Sequence, residues 1–327
     1  MIASCRHHPV LLTTPLAAIA VGAGFAAQAL LRPAPDTADR ALLETLIAQP
    51  SPPSPGASQE SASLPSDALQ AHRAASSARG GGALAIPETG PELQLEIRVA
   101  LLKLASWPRL SANGPWRLLD RQGRVLQRGE AGQALDPSAA LQGASEAWLE
   151  SIPGASLEAD GRSYEGRFRL LQGDGRLLVV NHLPLERYIS SVVGGEMPSH
   201  WNLEALRAQA VAARSYAMAH MARPADPHWH LGDTTRWQNY TGLSSVNART
   251  REATASTAGV ILSFQGGIVE SLYAATQQIV DEAHGHLGAS MSQTGAQELA
   301  QRGLRYNEIL GRYYRGASLA RLQAGAG

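Results

Sequence analysis

Residues 9–91 set the limits on what this chain can fold into, because little in them can build a core. From position 9 to position 31 no residue is charged, Leu11, Leu12, Leu16, Ile19, Val21, Phe25 and Leu30 dominate, and Arg6 stands just ahead. Pro15, Gly22 and Gly24 interrupt the run, which argues against a buried core helix. An uncharged apolar head of this kind is an export signal or a membrane anchor, assigned to residues 1–32. Ala27-Gln28-Ala29 offers a cleavage site, yet the run is just long enough to span a bilayer uncut, so both readings stay open. Residues 33–91 turn to Ser, Pro, Ala, Gly and Gln, as in Gln49-Pro50-Ser51-Pro52-Pro53-Ser54-Pro55 and Arg79-Gly80-Gly81-Gly82. Such a composition buries too little apolar surface to offset its ordering entropy. It is expected to be a disordered linker, with one short helix at 40–48.

The fold must therefore come from residues 92–327, roughly 235 residues and enough for a sizeable core. Leu93, Leu95, Ile97, Val99 and Leu101 alternate strictly, which places all five on one face of a strand. Further strands are expected at 116–119 and 124–126, then at 163–170 and 177–181 around Gly173-Asp174-Gly175, a hairpin signal. After Pro198 the period changes. Asn202 reads as an N-cap, Glu204 lies in the first turn, and Leu203, Leu206, Ala210, Ala213 and Ala217 recur at helical spacing until Pro224. A shorter helix is expected near 246–255, and a hairpin where Val260, Leu262, Phe264 and Ile268 flank Gly266-Gly267. Two helices close the chain: one opens on Thr294 and Gln297 in capping-box spacing and ends at Gly303, the other presents Tyr306, Ile309, Leu310 and Tyr313 on one face. The expected class is α+β, with a β-rich, hairpin-containing first half and a helical catalytic segment after it.

Charge excludes one class of partner. Lys and Arg number 28 against 28 Asp and Glu, and Lys103 is the only lysine, so no basic face marks the chain as a binder of nucleic acid. Cys5 is the single cysteine and precedes the apolar head, which rules out a disulfide framework and a thiolate metal site in the folded part.

Acid catalysis on a glycosidic bond needs a carboxyl whose apolar surroundings keep it protonated near neutral pH. Glu196 has such neighbours in Val192-Val193-Gly194-Gly195-Glu196-Met197-Pro198, read as an apolar strand end turning through a loop into a helix. A glutamate near a helix start is also a favourable partner of the helix dipole, and these residues alone do not separate the two roles.

Four blocks carry a resemblance. They are Leu183-Pro184-Leu185-Glu186-Arg187-Tyr188-Ile189 running on to Glu196-Met197-Pro198; Trp201 through Ala217 with Gln209, Arg214 and Tyr216; Asp233-Thr234-Thr235 with Gln238 and Tyr240; and Met291-Ser292-Gln293 with Gly295-Ala296, Tyr306, Ile309, Leu310 and Tyr313-Tyr314. Together they resemble the stage II sporulation protein D (SpoIID/LytB) family over roughly residues 92–319. The resemblance implies a lytic transglycosylase that cuts peptide-stripped peptidoglycan glycan strands, with Glu196 as acid and then base, often beside an N-acetylmuramoyl-L-alanine amidase. It also implies substrate-binding roles for Gln209, Arg214, Gln238, Tyr240, His286, Ser292 and Gln293. Gln209 and Arg214 could equally satisfy buried carbonyls, with Gln238 and Tyr240 standing likewise, and Ser292 and Gln293 could cap a helix. Trp201, Trp229 and Trp237 could stack on sugar rings.

The chain departs from that family in two places. The positions matching two common family cysteines, attributed in some members to a zinc site, are Gly232 and Trp237, so no cofactor is expected. His228, His230, His284 and His286 lack a recognisable ligand spacing and are expected to be surface or hydrogen-bonded residues. Ala274-Ala275-Thr276-Gln277 also leads almost directly to Ala283-His284-Gly285-His286, where family members carry a long insert. A groove without that wall could hold glycan and stimulate an amidase without cutting, which is the alternative function. A periplasmic sugar-binding domain unrelated to wall cleavage is a third. Each of these readings places the folded part outside the cytoplasm, periplasmic or on the outer face of the membrane, and the apolar head is the link to that membrane.

Overall fold

A computed structural model describes residues 82–323, except 92, 142–143, 174 and 285–288. The apolar head, the linker up to residue 81 and the helix expected at 40–48 lie outside the described residues.

The chain runs through β1 (Glu96–Ala100), β2 (Leu110–Ala112), β3 (Trp116–Leu119), β4 (Val125–Gly129), β5 (Glu146–Ser151), β6 (Leu157–Ala159), β7 (Arg162–Tyr164), β8 (Arg167–Gly173) and β9 (Arg176–Pro184). Helices α1 (Leu185–Glu196) and α2 (Leu203–Ala222) follow, then β10 (Leu231–Gly232), α3 (Ala248–Ala255), β11 (Val260–Phe264), β12 (Gly267–Ile268) and β13 (Leu272–Ala274). The last elements are β14 (Ser290–Ser292), α4 (Gln293–Gln301), α5 (Tyr306–Tyr313) and β15 (Ser318–Arg321), with shorter helical turns left unlabelled. This is an α+β fold, rich in strands first and in helices afterwards.

Seven strands form one sheet in the order β10-β1-β9-β8-β5-β3-β4. All its pairs are antiparallel except β1 with β10. The alternation of β1 does what its period requires: Ile97 and Val99 are fully buried, and Leu101 follows on the same face. The single strand expected at 163–170 is two strands, β7 and β8, belonging to different sheets. Gly166 separates them at φ +91°, where a Cβ would lie 2.1 Å from the His182 carbonyl oxygen. The hairpin between β8 and β9 forms as expected, with Gly173 opposite Arg176.

Residues 185–196 are helix, not the strand end and loop expected from the sequence. The β-branched content misleads, but Leu185, Tyr188, Ile189, Val192 and Val193 recur at i, i+3, i+4, i+7 and i+8, and all are buried. Helix α2 starts where Asn202 predicts, its side chain accepting the Glu204 N–H at 2.9 Å. It is buried almost throughout, with Ala205, Ala208, Ala210, Ala212, Ala213 and Ala217 letting neighbours approach its backbone closely. The β11–β12 hairpin and α3 form as expected, α3 capped by Asn247. The cap of α4 is Ser292, which accepts the Gly295 N–H, so the helix begins at Gln293, one residue before the expected Thr294. Strand β15, not anticipated, pairs with β11.

The folded part also begins earlier than residue 92. Leu84 donates its N–H to the Asn307 carbonyl at 3.2 Å and accepts from Asn307 Nδ2 at 2.8 Å, while Arg321 Nε donates to the Glu88 carbonyl. Residues 82–90 are thus fixed to α5 and β15 without helix or strand of their own. Among the described residues no helix is long and apolar enough to cross a membrane.

Candidate active site

Glu196 is the last residue of α1. The helix stops there because Met197 turns to extended backbone (φ −126°, ψ 143°), as a residue before proline does, and Pro198 cannot continue the helix. Gly194 and Gly195 are helical and serve close approach rather than a turn. A Cβ on Gly194 would lie 2.0 Å from the Ser245 carbonyl oxygen, and one on Gly195 would lie 2.3 Å from that of Asn239. Two bare positions therefore let the segment 239–245 press against the final turn of α1.

Asn239 exploits that approach. Its side-chain Nδ2 donates to the Gly195 carbonyl at 2.7 Å, satisfying one of the orphan acceptors at the helix end. Its backbone N–H donates to Glu196 Oε1 at 2.8 Å. Gln293, the first residue of α4, donates from Nε2 to Glu196 Oε2 at 3.3 Å. The parallel pairing of β13 with β14, Tyr273 opposite Met291, sets where α4 begins and so brings Gln293 to the acid.

The Glu196 carboxyl is held above the usual carboxylate range, chiefly because burial strips water from the charged form. The Asn239 and Gln293 hydrogen bonds and the Lys103 ammonium pull the other way without overcoming it. Standing at a helix C-terminus adds a partial negative charge beside the carboxyl, the opposite of the helix-start stabilisation that its sequence context allowed. The arrangement holds a carboxyl that keeps its proton to higher pH than an exposed one would, with both oxygens positioned.

The other residues singled out from the sequence divide. Ser292 is fully buried as the α4 cap, and Gln293 touches the acid. Arg214 is 0% exposed and does not reach the site: it forms a two-pronged pair with Glu186 at 2.8 and 2.6 Å and donates to the Val260 carbonyl at 3.0 Å. Gln238 is buried, accepting from Tyr188 Oη at 2.8 Å and donating to the Ala213 carbonyl at 3.1 Å and to Tyr273 Oη at 2.8 Å. Tyr240 donates to Asn181 Oδ1 at 2.6 Å deep in the core. Gln209 is fully buried with neither side-chain polar atom hydrogen-bonded. His286 lies outside the described residues. Asn239 and Lys103, not proposed from the sequence as site residues, are both in contact with the acid's surroundings. A signal existed for Asn239, since it sits between Gln238 and Tyr240, whose burial turns the intervening residue outward.

The residues at the implied zinc position do not fit a metal. Gly232 and Trp237 are neighbours in space, but neither carries a donor, and the volume a side chain at 232 would need is filled by the Trp237 ring, 2.6 Å from an ideal Cβ. His230 is buried, with Nδ1 3.1 Å from the Arg98 backbone nitrogen and Nε2 3.0 Å from Arg98 Nε, and as a neutral ring it accepts a hydrogen bond from one of the two. Burial and the Arg98 charge push its pKa down to about 3, so it is neutral. His284 meets Ser290 Oγ at 2.9 Å. Among the described residues, no group of three or more His, Cys, Asp or Glu could hold an ion.

Fold and site together define an α+β protein organised around one half-buried, positioned carboxylic acid. Residues 173–264, which contain α1, α2 and the Asn239 segment, match the family described as Stage II sporulation protein. It is 33% identical over 117 residues to an uncharacterized protein of Brachyspira hyodysenteriae, covering 36% of this chain and 32% of that one. It is also 33% identical over 102 residues to the Amidase enhancer of Bacillus subtilis, 31% and 14% of the two chains. Stage II sporulation protein D of Bacillus subtilis matches at 32% over 112 residues, 30% and 33% of the two chains. The matched part thus spans a third or less of each of these relatives.

Proposed function

We propose that the protein is an exported enzyme that cleaves peptidoglycan glycan strands as a lytic transglycosylase, acting on strands freed of stem peptides. The observation that carries this reading is Glu196: a carboxyl with a raised pKa, one oxygen on the Asn239 N–H and the other on Gln293. Protonated Glu196 gives its proton to the oxygen joining N-acetylmuramic acid to N-acetylglucosamine as the C1–oxygen bond breaks. The resulting carboxylate then takes the proton of the muramyl 6-hydroxyl while that oxygen bonds to C1. An anhydromuramyl end forms and Glu196 is protonated again. One carboxyl suffices because the nucleophile belongs to the substrate, whereas glycosidases need two at a set separation. The chemistry is read as metal-free, given Gly232 and Trp237. The apolar head and linker would hold the domain at the outer face of the membrane or release it beyond it.

The test is mass spectrometry of peptide-free glycan incubated with the full chain and with its Glu196→Gln variant. Anhydromuramyl ends made by the unaltered protein alone are the expected result; reducing ends, or equal products from both proteins, would refute it. A second reading, a groove that binds glycan and stimulates an amidase, draws on the similarity to the Amidase enhancer and on the short connection 274–289. Binding without cleavage by either protein would favour it.

A further inference from the structure

Lys103 is the only lysine among 327 residues, and it is exposed beside the acid. Its backbone is pinned. Asp233, at the end of β10, accepts the N–H groups of Leu102 at 2.8 Å and Lys103 at 3.3 Å on one carboxylate oxygen, fixing the turn that leaves β1. From there Lys103 Nζ donates to Asn239 Oδ1 at 3.4 Å, and the same Asn239 donates its N–H to Glu196. A single residue therefore joins the cation to the acid. The contact with Asn239 is long and uses one of three ammonium donors, so capacity remains for a ligand.

A cation here works against a proton donor, since it favours the ionised form of Glu196. Its placement calls for a different purpose. Removal of a stem peptide turns the lactyl amide of N-acetylmuramic acid into a carboxylate, and that sugar is the one whose C1 must sit at Glu196. Arg214, the α2 cation that the resemblance assigned to the substrate, is committed to Glu186 and out of reach. Resting on the glycan-cleaving reading above, we propose that Lys103 recognises the free lactyl carboxylate of the sugar bound at Glu196, and is the residue through which the site distinguishes peptide-free strands.

The experiment measures binding of two probes of equal length, peptide-free glycan oligomers and chitooligosaccharides that lack the lactyl group. The full chain carries Glu196→Gln so that neither probe is consumed. With Lys103 present, the peptide-free oligomer should bind about fivefold more tightly, an advantage that shrinks as salt is raised, as an exposed ion pair would give. Lys103→Met should bring the ratio of the two affinities close to one, and Lys103→Arg should restore most of it. A ratio unchanged in Lys103→Met, in protein whose thermal unfolding is also unchanged, would overturn the assignment while leaving the glycan reading intact. Binding of neither probe by any variant would overturn the glycan reading itself and this assignment with it.

Discussion

Gly195→Ala should damage the site from inside a helix, where the same change is usually favourable. In a helix interior alanine is preferred to glycine by about 1 kcal/mol. At this position, however, the added methyl would lie 2.3 Å from the Asn239 carbonyl oxygen, against roughly 3.4 Å for an ordinary contact. Segment and helix must part by about 1.1 Å. Transferred to the 2.8 Å hydrogen bond from Asn239 to Glu196, that shift gives about 3.9 Å, beyond hydrogen-bond reach. Over-packing of this kind costs about 1–3 kcal/mol, and the lost hydrogen bond to the acid about 1 more. Set against the helical gain, the net loss is about 2 kcal/mol, which for a domain of this size lowers Tm by roughly 4–8 °C. Thermal unfolding by circular dichroism reads the stability, and release of anhydromuramyl ends from peptide-free glycan reads the acid. Both should fall, and the descending limb of the pH–rate profile should move to higher pH, since Glu196 loses a contact that favours its charged form. A variant with higher Tm and unaltered turnover would refute the claim that Gly195 is bare because Asn239 needs the space.

Three further outcomes follow from the same structure. Because the folded-state pKa of Glu196 is raised, the native state holds more protons than the unfolded chain between the two values, so ionising this residue costs stability as pH rises. Glu196→Gln should therefore raise Tm relative to the unaltered protein at about pH 8 and lose that advantage near pH 4; the reverse ordering in thermal scans would contradict the buried-acid assignment. Arg214→Met strands the Glu186 carboxylate and should cost about 3–5 kcal/mol in urea unfolding, whereas a cost under about 1 kcal/mol would mean the pair contributes little. Gln209→Met replaces a buried amide without partners by an apolar chain of similar size, and should raise the urea midpoint by the equivalent of about 1 kcal/mol; a clear loss would indicate that the amide is hydrogen-bonded in solution.

Local chemistry was enough to specify much of this molecule. Period two in β1, the Asn202 cap of α2, the glycine-bearing hairpins and the alternation of class along the chain all follow from interactions within a few residues, and the sequence by itself determined them. Glu196 could be singled out because its apolar neighbours and the matched helix lie next to it in sequence. Where two local signals competed, tertiary packing decided. The β-branched residues of α1 favour strand, yet their i, i+3, i+4 recurrence buries five side chains only as a helix, and that moved Glu196 from a loop to a helix end. Ser292 rather than Thr294 caps α4 because β14 delivers it there.

The roles of Arg214, Gln238 and Tyr240 depend on partners 28, 50 and 59 positions away, Glu186, Tyr188 and Asn181, and no local pattern announces such pairs. The same holds for Lys103 and Asn239, separated by 136 positions and joined at the acid. Helical and strand periods say which face of an element is apolar. Which polar groups meet across elements is fixed only when the sheet, α1 and the 239–245 segment pack together, because only then does burial raise the cost of leaving any of them unpaired.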